Sequence, residues 1–390
     1  MNHLSMNHLS KFKKIKEKAG SHSPSVETIR EFFPELSIKS DACFLSNPYA
    51  TSLFYSWMQS EIQRDTSRFM QMLEFYPSQN RVLAGYMSDI LKVDQANIFL
   101  CNGAIDGIER ILRGLDGSIS VPLPTFSSYY EFAHGSLSPK FFYLHKNSDY
   151  RLDLEEYQKF IHDNYIDNIL LINPSNPTGQ GFLFKDIEHF ISANKNCKSI
   201  IIDESFIHFM ELESPDKNSV AQLVSRYENL YVVKSMSKDY GIAGIRLGYI
   251  IANRQWIDDT LRYGALWNVS GIGEYFIRLL RDASFQLKYE EARVRFIEVH
   301  KKFGEMLQGV EGIVVIPSVA NFFLVEILGD HSLEDIVSEL LFSYGVYVRD
   351  CTDKIGLKGN YIRVATRTAE ENESLVLKLK LCINKLKSVD

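Results

Sequence analysis

Between about residues 91 and 250 the chain alternates short apolar runs with longer helical stretches. The runs fall at residues 97–100, 118–121, 140–144, 169–172, 199–202, 230–233 and 247–251. This alternation predicts an α/β fold, a mostly parallel seven-stranded sheet with helices on both faces. Sheets of this kind bind ligands at the carboxyl ends of their strands. A long amphipathic stretch at 286–307 predicts a helix leading into a smaller α+β unit that begins near Gly309. Strands are expected there at 312–316, 321–327, 346–348 and 361–365, with helices at 332–343 and 370–387. The predicted division is an N-terminal arm over 1–40, helical around 25–33, a large domain over 41–285, and a connecting helix with a small C-terminal domain over 286–390.

Composition narrows the partners. The chain has 390 residues, 45% of them hydrophobic, a net charge of −6 and a pI of about 6.0. That suffices for a full core, and the scattered basic residues argue against a nucleic-acid surface. The lysines of Lys11–Lys18 read as a solvated, frayed helix. Five widely spaced cysteines read as reduced thiols of a cytoplasmic protein. No apolar run reaches the roughly 18 residues of a membrane span, and no histidine pair has metal-ligand spacing. Met1–Ser5 is repeated as Met6–Ser10, which reads as a doubled start or an expression artefact.

Three predicted strands end in reactive segments. Residues 230–233 lead into Ser235-Met236-Ser237-Lys238, with Arg246 eight residues beyond the lysine. An amine beside hydroxyls and a guanidinium suits a Schiff base to a phosphorylated aldehyde. Residues 168–172 lead into Asn173-Pro174-Ser175-Asn176-Pro177-Thr178-Gly179, and residues 198–202 into Asp203-Glu204-Ser205-Phe206. In this order and spacing the segments resemble the fold type I pyridoxal 5′-phosphate enzymes, most nearly the histidinol-phosphate aminotransferases and threonine-phosphate decarboxylases. The resemblance runs from about Phe44 to Leu381.

The resemblance implies roles. Lys238 would bond the cofactor, Asp203 would face its ring nitrogen, Asn176 its phenolic oxygen, and Phe126 would stack on the ring. Gly103-Ala104-Ile105, opening a helix, would present backbone N–H groups to the phosphate beside Ser235, Ser237 and Arg246. Ile105 stands where many relatives carry a polar side chain, so only its backbone would serve. Tyr76 would reach the phosphate of a partner subunit, making a homodimer with shared sites. Arg363 would clamp a substrate carboxylate and Arg349 a second anionic group; on residues alone either arginine also fits a surface ion pair. Asn47 falls in a loop that lines the substrate pocket in relatives, although the usual Asn-x-Asn-Pro spelling is shortened here. His208 reads as a core histidine.

Reaction type is less constrained. Phe206 replaces a tyrosine common in the aminotransferases, and Trp267-Asn268-Val269 and Tyr361–Arg367 resemble the decarboxylases. The favoured expectation is decarboxylation of a small O-phospho-L-amino acid of the serine or threonine type. Transamination of a phosphorylated or phosphonate substrate is the alternative. A non-catalytic regulator that binds the cofactor is a third reading.

Overall fold

The computed structural model describes residues 6–20, 22–210, 218–329 and 332–387. The first copy of the duplicated pentapeptide lies outside the described residues. In chain order the strands are β1 (Ser40–Ala42), β2 (Ile98–Cys101), β3 (Gly117–Leu123), β4 (Leu137–Tyr143), β5 (Asn168–Ile172), β6 (Ser199–Asp203), β7 (Leu230–Ser235), β8 (Gly248–Ile251), β9 (Ile313–Ile316), β10 (Phe322–Ile327), β11 (Val346–Asp350) and β12 (Asn360–Ala365).

β2 to β8 form one sheet in the order β2-β8-β7-β6-β5-β3-β4. Every predicted run is one of these strands. β5, β6 and β7 are buried at each position, which is why they read as continuous apolar runs rather than alternating ones. β8 pairs antiparallel with β2 and β7, and the remaining pairs are parallel. Ile172 aligns with Asp203, and Asp203 with Val233. The loops after β5, β6 and β7 therefore leave the sheet along one edge.

The second sheet has the order β1-β11-β12-β10-β9. Its four C-terminal strands were expected; β1 was not. Ser40–Ala42 runs parallel to β11, with Ser40 opposite Val346. Residues assigned from sequence to the arm and the edge of the large domain thus complete the C-terminal sheet. Three residues reading Ser-Asp-Ala carry no period that could have announced a strand.

The arm packs on its own chain. Its helices Met6–Lys18 and Val26–Phe32 bury Phe12, Ile15 and Ile29 against Leu341 and Tyr347. The first helix is therefore docked rather than frayed, with Phe12 and Ile15 inward and Lys16 ion-paired to Asp350. Helices Pro48–Arg64, Thr66–Glu74 and Asn80–Leu91 precede β2. Thr66–Glu74 buries none of its residues.

The long helix Ala283–Gln308 joins the two sheets, and His300 ties it to the second. The His300 ring stacks on Phe323 at 4.3 Å, Nδ1 meets Thr366 Oγ1 at 2.7 Å, and Nε2 meets the Ser318 carbonyl at 3.1 Å. Burial pushes this imidazole down to about 4 from the usual 6.5. Below 6.5 the unfolded chain takes up a proton that the folded chain refuses until about pH 4. Stability is therefore expected to fall through that window, by about 3 kcal/mol in all. Thermal unfolding from neutral pH to about pH 4 checks this: the wild type should lose more stability over the window than His300→Gln.

Candidate active site

A cavity of about 340 Å³ lies at the carboxyl ends of β5, β6 and β7, closed on the other side by β11, β12 and the arm. Lys238 sits on its floor, just past β7. The turn that carries it is tied down: the Asn47 N–H donates to the Lys238 carbonyl at 2.8 Å, and Thr51 Oγ1 donates to the Gly241 carbonyl at 2.7 Å. Gly241 has φ +65°, and a Cβ there would lie 2.4 Å from the Asn47 carbonyl oxygen, so the turn requires glycine. Burial, then the nearby guanidinium groups of Arg363 and Arg246, bring the Lys238 amine down to about 8 from 10.5. Desolvation and neighbouring cations both disfavour the ammonium form.

Asp203 closes β6 and is 4% exposed. Oδ2 accepts from the Tyr129 hydroxyl at 2.8 Å, and Oδ1 from the Ser205 N–H at 2.9 Å. Burial raises its pKa, and the bonds from Ser205 and Tyr129 oppose that rise. The sequence reading missed Tyr129, although it lies in the same segment as Phe126. Phe126 lines the cavity and meets Tyr129 edge-on at 6.4 Å.

At the far end the helix Gly103–Arg113 begins with Gly103 at φ +72°. A Cβ at Gly103 would lie 2.3 Å from Arg246 Nη2, so the guanidinium rests directly on this glycine. Ala104, Ile105, Ser235 and Ser237 line the cavity beside it. Backbone N–H groups at a helix start, two hydroxyls and a guanidinium make an anion site.

The opposite wall is cationic. Arg349 on β11 and Arg363 on β12 are direct cross-strand partners, so both side chains leave the same face of the second sheet. Arg363 Nη1 donates to Asn176 Oδ1 at 2.8 Å and Nη2 to the Cys43 carbonyl at 3.2 Å. Its Nε is buried without a hydrogen-bond partner, and its guanidinium lies 5.3 Å from the Phe322 ring centre. Phe206 lines the cavity and meets Phe322 edge-on. Arg349 pairs with Asp353 at 2.6 Å. Lys354, His22 and Ser23 stand beside Arg349, and none of the three was anticipated. Lys354 could have been suspected as a second cation five residues after Arg349. Nothing in the sequence marks His22, which reaches the site only because the arm docks.

Two candidates lie elsewhere. Asn47 is fully buried and caps the helix Pro48–Arg64, its Oδ1 accepting from the Tyr49 and Ala50 N–H groups. It supports the Lys238 turn and does not line the cavity. Tyr76 is 80% exposed and packs against Trp267 at 4.9 Å, outside the cavity of its own chain. Arg367, used from sequence to favour the decarboxylases, pairs with Glu371 away from the cavity. Among the described residues no group of three metal-ligating side chains occurs.

The profile of aminotransferase classes I and II matches residues 44–379. The chain belongs to the class I and II aminotransferase family. Within that family it is 44% identical over 381 residues to an L-serine phosphate decarboxylase of Campylobacter jejuni, covering 97% of each chain. It is 42% identical over 371 residues to the L-serine phosphate decarboxylase of Sulfurospirillum multivorans, covering 95% of this chain and 94% of that one. A solved structure of a decarboxylase from Sulfurospirillum multivorans superposes with a TM-score of 0.91 at 40% identity, over 97% of this chain and 96% of that one. The fold expected from sequence, a fold type I architecture, holds for this family member, and the family implies pyridoxal phosphate as cofactor.

Proposed function

We propose that this chain decarboxylates O-phospho-L-serine to a phosphorylated amine, using pyridoxal 5′-phosphate held in the cavity by its own residues. The observation that carries the reading is the cationic wall. Arg363 and Arg349 stand side by side in register, facing the amine of Lys238, with Lys354 beside them. Such a wall suits a small substrate with an anion at each end. Similarity over nearly the whole chain to two L-serine phosphate decarboxylases supports it.

The residues fit the cofactor. Its phosphate suits the Gly103–Ala104 N–H groups, Ser235, Ser237 and Arg246, its ring the face of Phe126, and its ring nitrogen Asp203, which Tyr129 and Ser205 hold. Asn176 gives its carbonyl to Arg363, which leaves its amide N–H groups for the cofactor. When bound, the cofactor withdraws electrons from the substrate Cα, so carbon dioxide can leave and a proton can take its place. Arg363 orients the carboxylate that departs, with its unpartnered Nε as a further donor. Arg349, Lys354 and His22 hold the substrate phosphate. Lys238, whose amine gives up its proton near pH 8 rather than 10.5, accepts a proton on substrate entry and returns one to Cα. The docked arm adds His22 and Ser23 to the wall of the cavity. In this reading the first sheet carries the cofactor and the second carries the substrate cations.

The test is mass analysis of O-phospho-L-serine and O-phospho-L-threonine incubated with holoenzyme and no keto acid. Many turnovers to the phosphorylated amine are expected. A single stoichiometric conversion to a keto product would instead establish a transaminase.

A homodimer with shared sites fits the surface. On the helix Thr66–Glu74 and just beyond, Met70, Leu73, Phe75 and Tyr76 are all more than half exposed, and Trp267 lies against Tyr76. A second copy of the chain would cover this apolar face and bring Tyr76 to its partner's phosphate site. Mixing Tyr76→Phe with Lys238→Ala is then expected to restore roughly a quarter of wild-type activity, as random pairing of two subunits gives. Sites contained in single chains would show only the activity of the Tyr76→Phe protein. All five cysteines are unpaired, which supports a cytoplasmic setting.

A further inference from the structure

Behind the cavity the first sheet buries a second set of charges that the chemistry above does not use. Lys234 and Ser235 are neighbours on β7 and point to opposite faces, so Ser235 enters the cavity and Lys234 does not. The Lys234 side chain is 2% exposed, and its Nζ lies 2.7 Å from Oδ2 of Asp239, whose side chain is 1% exposed. Nδ1 of His208 lies 2.9 Å from the same oxygen and 3.1 Å from the Tyr289 hydroxyl. Glu204 is buried nearby, accepting from Ser219 and from the Val220 N–H, and feels the charges of Lys234 and His208. Tyr240 stacks on Tyr289, and Arg293 donates to the His208 carbonyl.

Three of its charged members are bonded in sequence to a cavity residue. Glu204 follows Asp203, Lys234 precedes Ser235, and Asp239 follows Lys238. Stability alone does not explain such a group, because a buried ion pair is often matched or bettered by apolar residues of the same size. What the pair does achieve is to bracket Ser235–Lys238, the stretch that carries the amine and two phosphate donors.

We propose that Asp239, clamped by Lys234 and His208, is a positioning residue that holds Lys238 from behind and balances its charge. The inference rests on Lys238 being the lysine that joins the cofactor. The charges that weigh most on Lys238 are Arg363 and Arg246 from the cavity, Asp203 from β6, and Asp239 from behind. Asp239 favours a proton on Lys238, and Lys234 offsets Asp239. Removing one or the other must therefore move Lys238 in opposite directions.

The experiment is a pH titration of the visible absorbance of the bound cofactor in holoenzyme, which follows protonation of the nitrogen supplied by Lys238. Asp239→Asn is expected to lower the midpoint and Lys234→Met to raise it, each by about one pH unit. A purely structural role predicts unmoved midpoints, or displacement in the same direction by both changes, and either result overturns the proposal. Should Lys234→Met fail to fold, Lys234→Gln replaces it, since it keeps a donor toward Asp239. Asp239→Asn keeps its shape and must lower the midpoint on its own. A wild type with no visible band would instead remove the cofactor reading, which separates the two failures.

Discussion

Lys238→Ala is expected to turn over O-phospho-L-serine at least about 10⁴-fold more slowly than the wild type, because one change removes both a nucleophile and a proton carrier. Borohydride should no longer fix the cofactor to the chain. The remaining donors, Gly103, Ser235, Ser237 and Arg246, are untouched, so the cofactor should still bind, reversibly, and a small added amine should restore part of the turnover. The burial that lowers the Lys238 amine to about 8 gives a second readout. Uptake of pyridoxal phosphate by the apoprotein needs the neutral amine. Its rate should therefore climb as the pH rises through about 8, well below the ordinary lysine value of 10.5. A Lys238→Ala protein with wild-type absorbance and turnover would remove this residue from the centre of the chemistry.

Arg363→Lys carries the next largest effect. The guanidinium bonds to Asn176 and Cys43, lies over Phe322, and keeps Nε free in a buried position. A lysine supplies one charge but neither the planar fork nor the contact with the ring face. Losing a charge-assisted hydrogen bond to the carboxylate costs about 3 kcal/mol, or roughly 10²-fold in kcat/KM. The ratio of products should change as well. With its carboxylate held loosely, the substrate should lose the Cα proton more often, and the fraction ending as keto product should rise. Unaltered kinetics and an unaltered product ratio would mean that another group, with Arg349 first to examine, holds the carboxylate.

The sequence disclosed the parts of this molecule whose environment is uniform along a segment. β5, β6 and β7 are buried on both faces, so they appear as unbroken apolar runs, and the residues after them are the ones that meet at the cavity. The glycine-led helix start at the far end of the cavity was legible for the same reason: Gly103 and the helix it opens are consecutive, and a local motif encodes a local structure. The rest depended on contacts between distant segments. His22 is an ordinary histidine until the arm docks, and the arm docks because Phe12 and Ile15 find Leu341 and Tyr347. Asn47 fits a substrate loop by its position in the chain, yet its side-chain oxygen Oδ1 caps a helix and its backbone N–H supports the Lys238 turn. Lys11–Lys18 looked solvated because its charges outnumber its two inward residues, and burial of those two decides where the helix lies.

The parallel pairing of β1 with β11 fixes the order in which a newly made chain is finished. Ser40 leaves the ribosome before β2 to β8 are made, and its partner Val346 emerges only after all of them. Through that interval Phe12, Ile15 and Ile29 have no surface to cover, whereas β2 to β8 already have all their neighbours. Assembly thus runs from the first sheet toward the second. A chain that stops short of β11 lacks Arg349, Arg363 and the strand that seats the arm, all at once. On the proposed function, a chain that ends before β11 therefore has no cationic wall on which to trap phosphoserine without converting it.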